Sequence, residues 1–435
     1  MMTFPRYDSY KDSGVEWLGE IPSHWDCRRL KHIAKVRLSN VDKHSRANEL
    51  PVKLCNYTDV YYQSFITNEV NFMEATATEE QIYNFSLEKG DVLITKDSES
   101  FDDIAVSAYV PKTLKNVICG YHLAHIKPTH IEGSYLFRAF QAEGISSQFR
   151  VSANGITRFG IGKSAINDAV FLLPPIAEQK RIVEFLDRST AEIDRAIAQK
   201  QRLIELLQEQ KAILINQAVT KGLNPNVPMR DSAIDWIGEI PEHWDFRRAK
   251  FLFSQSRLPV RKIDDVVTCY RDGEVTLRTN RRTEGYTFAI LEQGYQGVRS
   301  GQLVINSMDA FAGAIGVSDS DGKCSPEYVV CDPVSSDLVE PKYYALLLRE
   351  MALKGYIEVI CPAVRQRGLR IRYNSFAQLL LPLPSKDEQR KIIEKVDAII
   401  SGTAEALDSL YREIDLLKEM KSIVISQAVT GKIKV

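Results

Sequence analysis

Long apolar runs are missing from this chain. None of its 435 residues belongs to a stretch approaching the roughly 20 apolar residues that span a bilayer as a helix. The opening MMTFPRYDSYKDSG is polar and lacks a signal-peptide core. The expectation is a cytoplasmic protein with no membrane partner. Cysteine is sparse: the seven (Cys27, Cys55, Cys119, Cys269, Cys324, Cys331 and Cys361) are odd in number and scattered, with no C-x-x-C pair. That argues against a disulfide scaffold and against a zinc ribbon, and reads as reduced thiols. Charge of one sign is missing too. Lys and Arg number 56 against 57 Asp and Glu, a net charge of −1, so any contact with a polyanion must be a local patch. The 44% hydrophobic and 26% charged fractions are those of a globular protein, and the length supplies two or three domains.

The chemistry-bearing motifs are incomplete wherever they begin. TRFGIGKS (157–164) ends like a phosphate loop, but the glycine needed five residues before Gly162 is Thr157. A basic loop displaying Arg158 and Lys163 is the better reading. LLPPI (172–176) resembles the Pro-Pro tetrapeptide of amino-methyltransferases, without its leading Asp or Asn and its trailing aromatic. Those prolines read as a helix entry. His122, His125 and His130 lack carboxylates or cysteines at metal-ligand intervals and read as ordinary surface and core histidines. No nucleophile–base set stands out. The expectations are no catalytic residue, no metal and no cofactor bound by this chain.

What is present is a duplication. SGVEWLGEIPSHWDCRRLK (13–31) returns as SAIDWIGEIPEHWDFRRAK (232–250), identical at 12 of 19 positions. A long helical stretch, 178–221, opens EQKRIVEFLD and closes ILINQAVTKG; 388–431 opens EQRKIIEKVD and closes IVISQAVTGK. Apolar residues spaced in threes and fours mark a coiled-coil seam on each. The first carries Ile182, Leu186, Ile193, Ile197, Ile204, Leu207, Leu214 and Ala218. The second carries Ile392, Val396, Thr403, Leu407, Leu410, Ile414, Leu417, Val424 and Ala428. At 1.5 Å per residue each rod is about 65 Å long. Pro174 and Pro175 precede the first; Ser385 and Glu388 form a capping box before the second. Gly222 and Gly431 fit left-handed caps at the ends. Equal rods with matched seams predict an antiparallel pair, with the chain end arriving beside the first WLGEIPSHW segment.

Between these parts lie two dissimilar regions with the same order of elements. In the first, KGDVLITK, DIAVSAYV and NVICGYHLAHIKP read as strands, SYLFRAFQAEG (134–144) as a helix and AVFLLP as a closing strand. In the second, GQLVINSMD, GAIGVSDS, EYVVCDP, YYALLLREMALKG and AQLLLPLP follow suit. The fold class is α+β: two mixed α/β domains joined by two long helices in an antiparallel coiled coil, with pseudo-two-fold symmetry. The divisions are 1–27 (head), 28–175 (first recognition domain), 176–221 (central helix), 222–245 (linker and repeated head), 246–384 (second recognition domain) and 385–435 (second helix).

The second region, 246–376, holds 19 Lys and Arg against 15 Asp and Glu, concentrated in LRTNRR (277–282) and VRQRGLRIR (364–372). Arg bonds guanine bidentately in the major groove, and Asn and Gln do the same for adenine. The candidates with that vocabulary are Arg278, Arg281, Arg282, Arg365, Gln366, Arg367 and Arg370, matched in the first region by Asn154, Thr157, Arg158 and Lys163. Lys96, at the end of the KGDVLITK run, and Asn306, within GQLVINSMD, complete the set. A solvated loop is the competing reading of any one of them.

Two head segments, two variable regions and two LPP/PLP…EQ helices ending in QAVT resemble the specificity subunit of type I restriction-modification enzymes over essentially the whole chain. The resemblance implies that each variable region is a target recognition domain reading one half of a bipartite site on double-stranded DNA. It implies helices that set the spacer and dock two modification subunits. Those partners would bind S-adenosylmethionine and methylate adenine, and restriction subunits would use ATP and Mg2+. Unequal recognition domains imply an asymmetric target, and near-neutral charge implies weak DNA binding by the chain alone. The rival is a dumbbell-shaped protein–protein scaffold with no DNA role; a free-standing nuclease or methyltransferase would require activity from the chain by itself.

Overall fold

A computed structural model describes residues 4–281, 294–361 and 370–435, and the chain packs as two units. One comprises Met1–Gln201 with Tyr411–Val435, the other Arg202–Leu410. The division falls within the long helices because each half-helix buries its apolar seam in a different core.

The first unit is built on a four-stranded antiparallel sheet in the order Ala34–Leu38, Leu123–Pro128, Val92–Thr95, Ser107–Tyr109. The alternation of strand side chains decides its two faces. Val92 and Ile94 join Tyr135, Phe137, Phe171 and the long helices in one core. Leu93, between them, points to a second core under the three-stranded sheet of Val117–Cys119, Leu50–Cys55 and Met73–Ala77. Leu50–Cys55 and Met73–Ala77 were not anticipated, because their burial pattern carries little alternation. The helix expected over 134–144 is two helices, Gly133–Phe140 and Glu143–Ser152.

The second unit repeats the frame. Its sheet runs Phe253–Gln255, Tyr328–Pro333, Leu303–Asn306, Ile315–Val317, in the same antiparallel order. The layer laid on it differs: two two-stranded antiparallel pairs, Val267–Cys269 with Val275–Leu277 and Gln296–Val298 with Gly322–Cys324, replace the three-stranded sheet. Frame and layer therefore diverge separately.

The head segments are stitched into these frames. Asp26–Arg29 pairs with Val170–Leu173, and Asp245–Arg248 pairs with Leu380–Leu383. Trp25 and Trp244 are both buried.

The first long helix spans Ile176–Lys221 and the second Lys386–Val429. Gln179 and Gln389, one residue past the repeated Glu, do the same work at each start. The Gln179 amide donates to the Pro174 carbonyl (2.8 Å) and accepts from the Glu132 N–H (2.9 Å). Gln389 donates to the Pro384 carbonyl (3.0 Å) and accepts from the Glu340 N–H (2.9 Å). The Ser385–Glu388 capping box is formed in both directions. Gly222 (φ +73°) and Gly431 (φ +69°) take the left-handed conformation expected of them. A Cβ on Gly431 would lie 2.5 Å from Pro22, which seats the chain end on the first head segment. Lys432 adds a hydrogen bond from its Nζ to the Glu20 carbonyl (2.7 Å). Gly222 meets Trp244 in the corresponding way.

Within the first unit the half-helices run antiparallel, with Lys421 on Asp194 (2.7 Å) and Lys200 on Glu413. Ile182, Leu186, Ile193, Ile414 and Val424 are buried, and Ile197 and Leu417 are half-buried. In the second unit Ile204, Ile392, Val396 and Leu410 are buried, and Leu207 and Leu407 are half-buried. The seam departs from expectation at Leu214, which is 37% exposed, while Ile215 is buried in its place. An α-helix has 3.6 residues per turn, so a seam read with a period of 3.5 drifts along a long rod. The step from Ile204 to Ile215 spans 11 residues and absorbs that drift.

Candidate nucleic-acid interface

Each frame carries a cleft at the ends of the two central strands of its sheet. In the first unit, Phe159–Gly160 pairs with Asp97–Ser98, and the Ile161 N–H donates to the Lys96 carbonyl (2.9 Å). Backbone bonds between Asn154 and Gly160 close the intervening loop. Its tip is solvent-facing: Asn154, Thr157 and Arg158 are exposed, and Ile156 is 95% exposed. This pairing sets the loop that carries Asn154, Thr157 and Arg158 beside the segment of Lys96, about 60 residues earlier in the chain. Lys163 is exposed but opens the short helix Lys163–Asp168 instead of lying in the loop, because the Gly162 carbonyl starts the helix there.

The cleft beside Arg158 holds about 420 Å³ and is lined by Tyr57, Tyr61, Asp97, Glu99, Asp103 and His122, among others. Asp97 is its electrostatic centre, with Lys96 Nζ at 2.5 Å and His122 Nδ1 at 2.7 Å from the same oxygen. Burial pushes the Asp97 carboxyl up, but the hydrogen bonds from Lys96 and His122 outweigh it and hold the group below its ordinary range. Lys96 Nζ also lies 4.8 Å from the centre of the Tyr121 ring, a cation–π contact. His122 adopts φ +72°, a conformation costly for a residue with a Cβ and one that gathers at functional sites. Tyr57 and Tyr61 stack at 5.6 Å, one helical turn apart in Tyr57–Tyr62. The neighbouring Asp103 carboxylate pushes the Tyr61 hydroxyl above its ordinary value. Among these residues the candidate set held only Lys96 and Arg158. The YTDVYY stretch carried a signal for the tyrosines in its four-residue aromatic spacing; His122 was read only as an ordinary histidine, and nothing local marked Asp97.

In the second unit the cleft holds about 330 Å³ and is lined by Gln255, Arg257, Ser307, Glu327, Arg372 and Asn374, among others. Asn306 does not face it. That side chain is buried, donates to the Cys269 carbonyl (3.5 Å) and accepts from the Met308 N–H (3.2 Å). As the last residue of Leu303–Asn306 it points into the sheet interior, where an amide must find partners. Arg278 is half-buried beside Tyr328, whose hydroxyl feels its charge. Arg281 is exposed and already paired with Asp272 (2.7 Å) and Glu274 (3.0 Å) over the Tyr270 ring. Arg370 pairs loosely with Glu327 (3.6 Å). Arg282, Arg365, Gln366 and Arg367 lie outside the described residues.

Among the described residues no three His, Cys, Asp or Glu side chains gather where they could hold a metal ion. His125 is buried on Asp91 (2.7 Å). No helix among these residues is long and apolar enough to cross a membrane.

Residues 22–206 match the family described as the type I restriction modification DNA specificity domain. The chain is 23% identical over 252 residues to a sequence-assigned type I restriction enzyme MjaX specificity subunit of Methanocaldococcus jannaschii, covering 56% of each protein. It is 20% identical over 315 residues to the type I restriction enzyme EcoBI specificity subunit of Escherichia coli, covering 67% of this chain and 64% of that one. The matches thus span 56% and 64% of these relatives' own lengths. The fold is that of a solved chain from work on complex assembly and conformational transition of the type I R-M system. The TM-score is 0.68 at 17% identity, over 95% of this chain and 99% of that one. It also resembles the HsdS subunit from Thermoanaerobacter tengcongensis, with a TM-score of 0.54 at 18% identity, over 95% and 98%.

Proposed function

We propose that this chain is a specificity subunit of a type I restriction-modification enzyme and that each of its units reads one half of an asymmetric, bipartite DNA site. The observation that carries this reading is the pair of clefts at one position in a duplicated frame, lined with different polar side chains. Same place and different chemistry is what two half-sites of unlike sequence require. Arg158 and Lys163 in one unit and Arg257 and Arg372 in the other are exposed and supply phosphate or base-edge contacts. Loop residues that vary on a fixed sheet alter the target without altering the fold.

The long helices set the spacing of the half-sites and dock two modification subunits. Leu206 and Ile213 are exposed on the first helix. Leu416 and Ile423, exposed on the second, stand at the same places in the repeat, with the exposed Met420 between them. Isolated apolar residues on a surface need no explanation, but a stripe repeated in register fits a partner that binds twice. The chain has no catalytic site of its own in this reading. S-adenosylmethionine on the modification subunits supplies the methyl group for adenine, and ATP and Mg2+ serve the restriction subunits. The complex works in the prokaryotic cytoplasm.

The test is methylated-base mapping of DNA from cells that express this chain with its modification partner. The expected result is a split, asymmetric motif that disappears when this chain is omitted. A complex that assembles and binds cofactor yet leaves no chain-dependent motif would overturn the reading in favour of a scaffold.

A further inference from the structure

The strand registers allow the two clefts to be compared position by position. Ala124 stands opposite Ile94 in the first sheet, and Val329 stands opposite Ile305 in the second. Two residues out along the strands, His122 corresponds to Glu327 and Lys96 to Ser307. The first unit therefore carries a lysine and a histidine where the second carries a serine and a glutamate. The short helices that follow, Lys163–Asp168 and Tyr373–Gln378, are of equal length, so that Gly162 corresponds to Arg372. The arginine is thus an addition of the second unit and not part of the shared frame. Arg372 has no ion-pair partner among the described residues and is exposed in the same cleft as Glu327. Glu327 is itself exposed, with only the loose contact to Arg370.

An unpaired guanidinium and a carboxylate in one cleft is a definite pattern. In the major groove a G·C pair presents two acceptors, O6 and N7, on guanine and one donor, the N4 amino group, on cytosine. An A·T pair offers no position with two adjacent acceptors. We propose that the cleft of the second unit reads a G·C pair, Arg372 donating to O6 and N7 of guanine and Glu327 accepting from N4 of the paired cytosine. This rests on the DNA-reading function proposed above and assigns it a base pair and two specificity-determining residues. Ser307 and Asn374 line the same cleft and extend the polar surface beside that pair. The first cleft, with Lys96 and His122 both held on Asp97, lacks this arrangement and should read its own half by other contacts.

The experiment uses the chain assembled with its modification partner, with assembly checked for every variant. Binding to a panel of duplexes varied at each position of the mapped motif is measured for the parent, Arg372→Ala and Glu327→Gln. The expected result is that one G·C position, confined to one half-site, loses a discrimination on the order of tenfold or more in each variant. The other half-site stays as selective as in the parent. Glu327→Gln keeps the shape of the side chain and changes only its donor and acceptor character, so it serves should Arg372→Ala fail to assemble. Unchanged discrimination at every position overturns the assignment. A uniform loss of affinity across all duplexes also overturns it, since that marks a phosphate contact. A parent complex with no motif at all defeats the DNA-reading function itself, a separate outcome.

Discussion

Glu178 and Glu388 occupy the same place in the two repeats and tie each long helix to a head segment. Glu178 accepts from the Tyr7 hydroxyl (2.5 Å) and faces His24 Nε2 (2.8 Å). Glu388 faces His243 Nε2 (2.8 Å) and accepts from the Trp244 indole N–H (3.3 Å). Burial pushes both carboxyls up; the hydrogen bonds outweigh it and hold both below the ordinary value of 4.5. A carboxyl lowered on folding stabilises the fold above its unfolded value, and that contribution is lost as pH falls through the folded value. Glu178→Gln should therefore cost about 1–3 kcal/mol at pH 7, chiefly by leaving the buried Tyr7 hydroxyl with a weaker partner, since the His24 ring is exposed. Urea unfolding of parent and variant checks this: the gap should narrow once the pH drops below 4.5. A gap unchanged with pH would show that Glu178 contributes by shape and not by charge. At this scale the sequence was only partly legible. Arg158 was read as a basic loop residue because TRFGIGKS is incomplete as a phosphate loop, and it does line the first cleft. Asn306 carried the right chemistry for adenine, yet its place at the strand end commits it to the interior. His122 was read as an ordinary histidine and Asp97 was not marked, because their pairing depends on two strands meeting.

The long helices were the most legible elements, since their signals are local. Caps act within three or four residues, and a seam repeats every turn or two. Ser385, Glu388, Gly222 and Gly431 do what their types and positions imply. Leu214 was misplaced because the drift of a straight helix against a heptad accumulates over the whole rod. The exposed stripes lead to a prediction at this scale. Leu206→Glu with Ile213→Glu should remove one of two bound modification subunits. Leu416→Glu with Ile423→Glu should remove the other, and all four together should remove both. Each charged side chain placed in an apolar contact costs several kcal/mol of binding unless paired. The mass of the complex, measured by light scattering, reads the count directly. Two subunits retained in the fourfold variant would sink the docking assignment.

For the molecule as a whole, the separate divergence of frame and overlaid layer should make the two proposed recognition regions exchangeable. Replacing residues 246–384 with the matching region of another member should change one half of the methylated motif and leave the other unaltered. Mapping the motif before and after the exchange tests this, and a change in both halves would show that the units do not read independently. The exchange should be tolerated because the flanking strand Leu380–Leu383, the buried Gln389 and the Tyr343 hydroxyl on the Val219 carbonyl (2.9 Å) recur in the first unit. There the counterparts are Val170–Leu173, Gln179 and the Tyr135 hydroxyl on the Val429 carbonyl (3.2 Å). The sequence by itself determined the duplication, the length and ends of the rods, and the α+β class, because repetition, capping and periodicity are written in neighbouring residues. Only the tertiary structure decided which side chains share a cleft. Tyr57 meets Ser98 across 41 residues, and Arg158 reaches the same cleft through a strand pair formed with Asp97–Ser98. Such contacts depend on the register of distant strands, and no local pattern in the chain encodes that register.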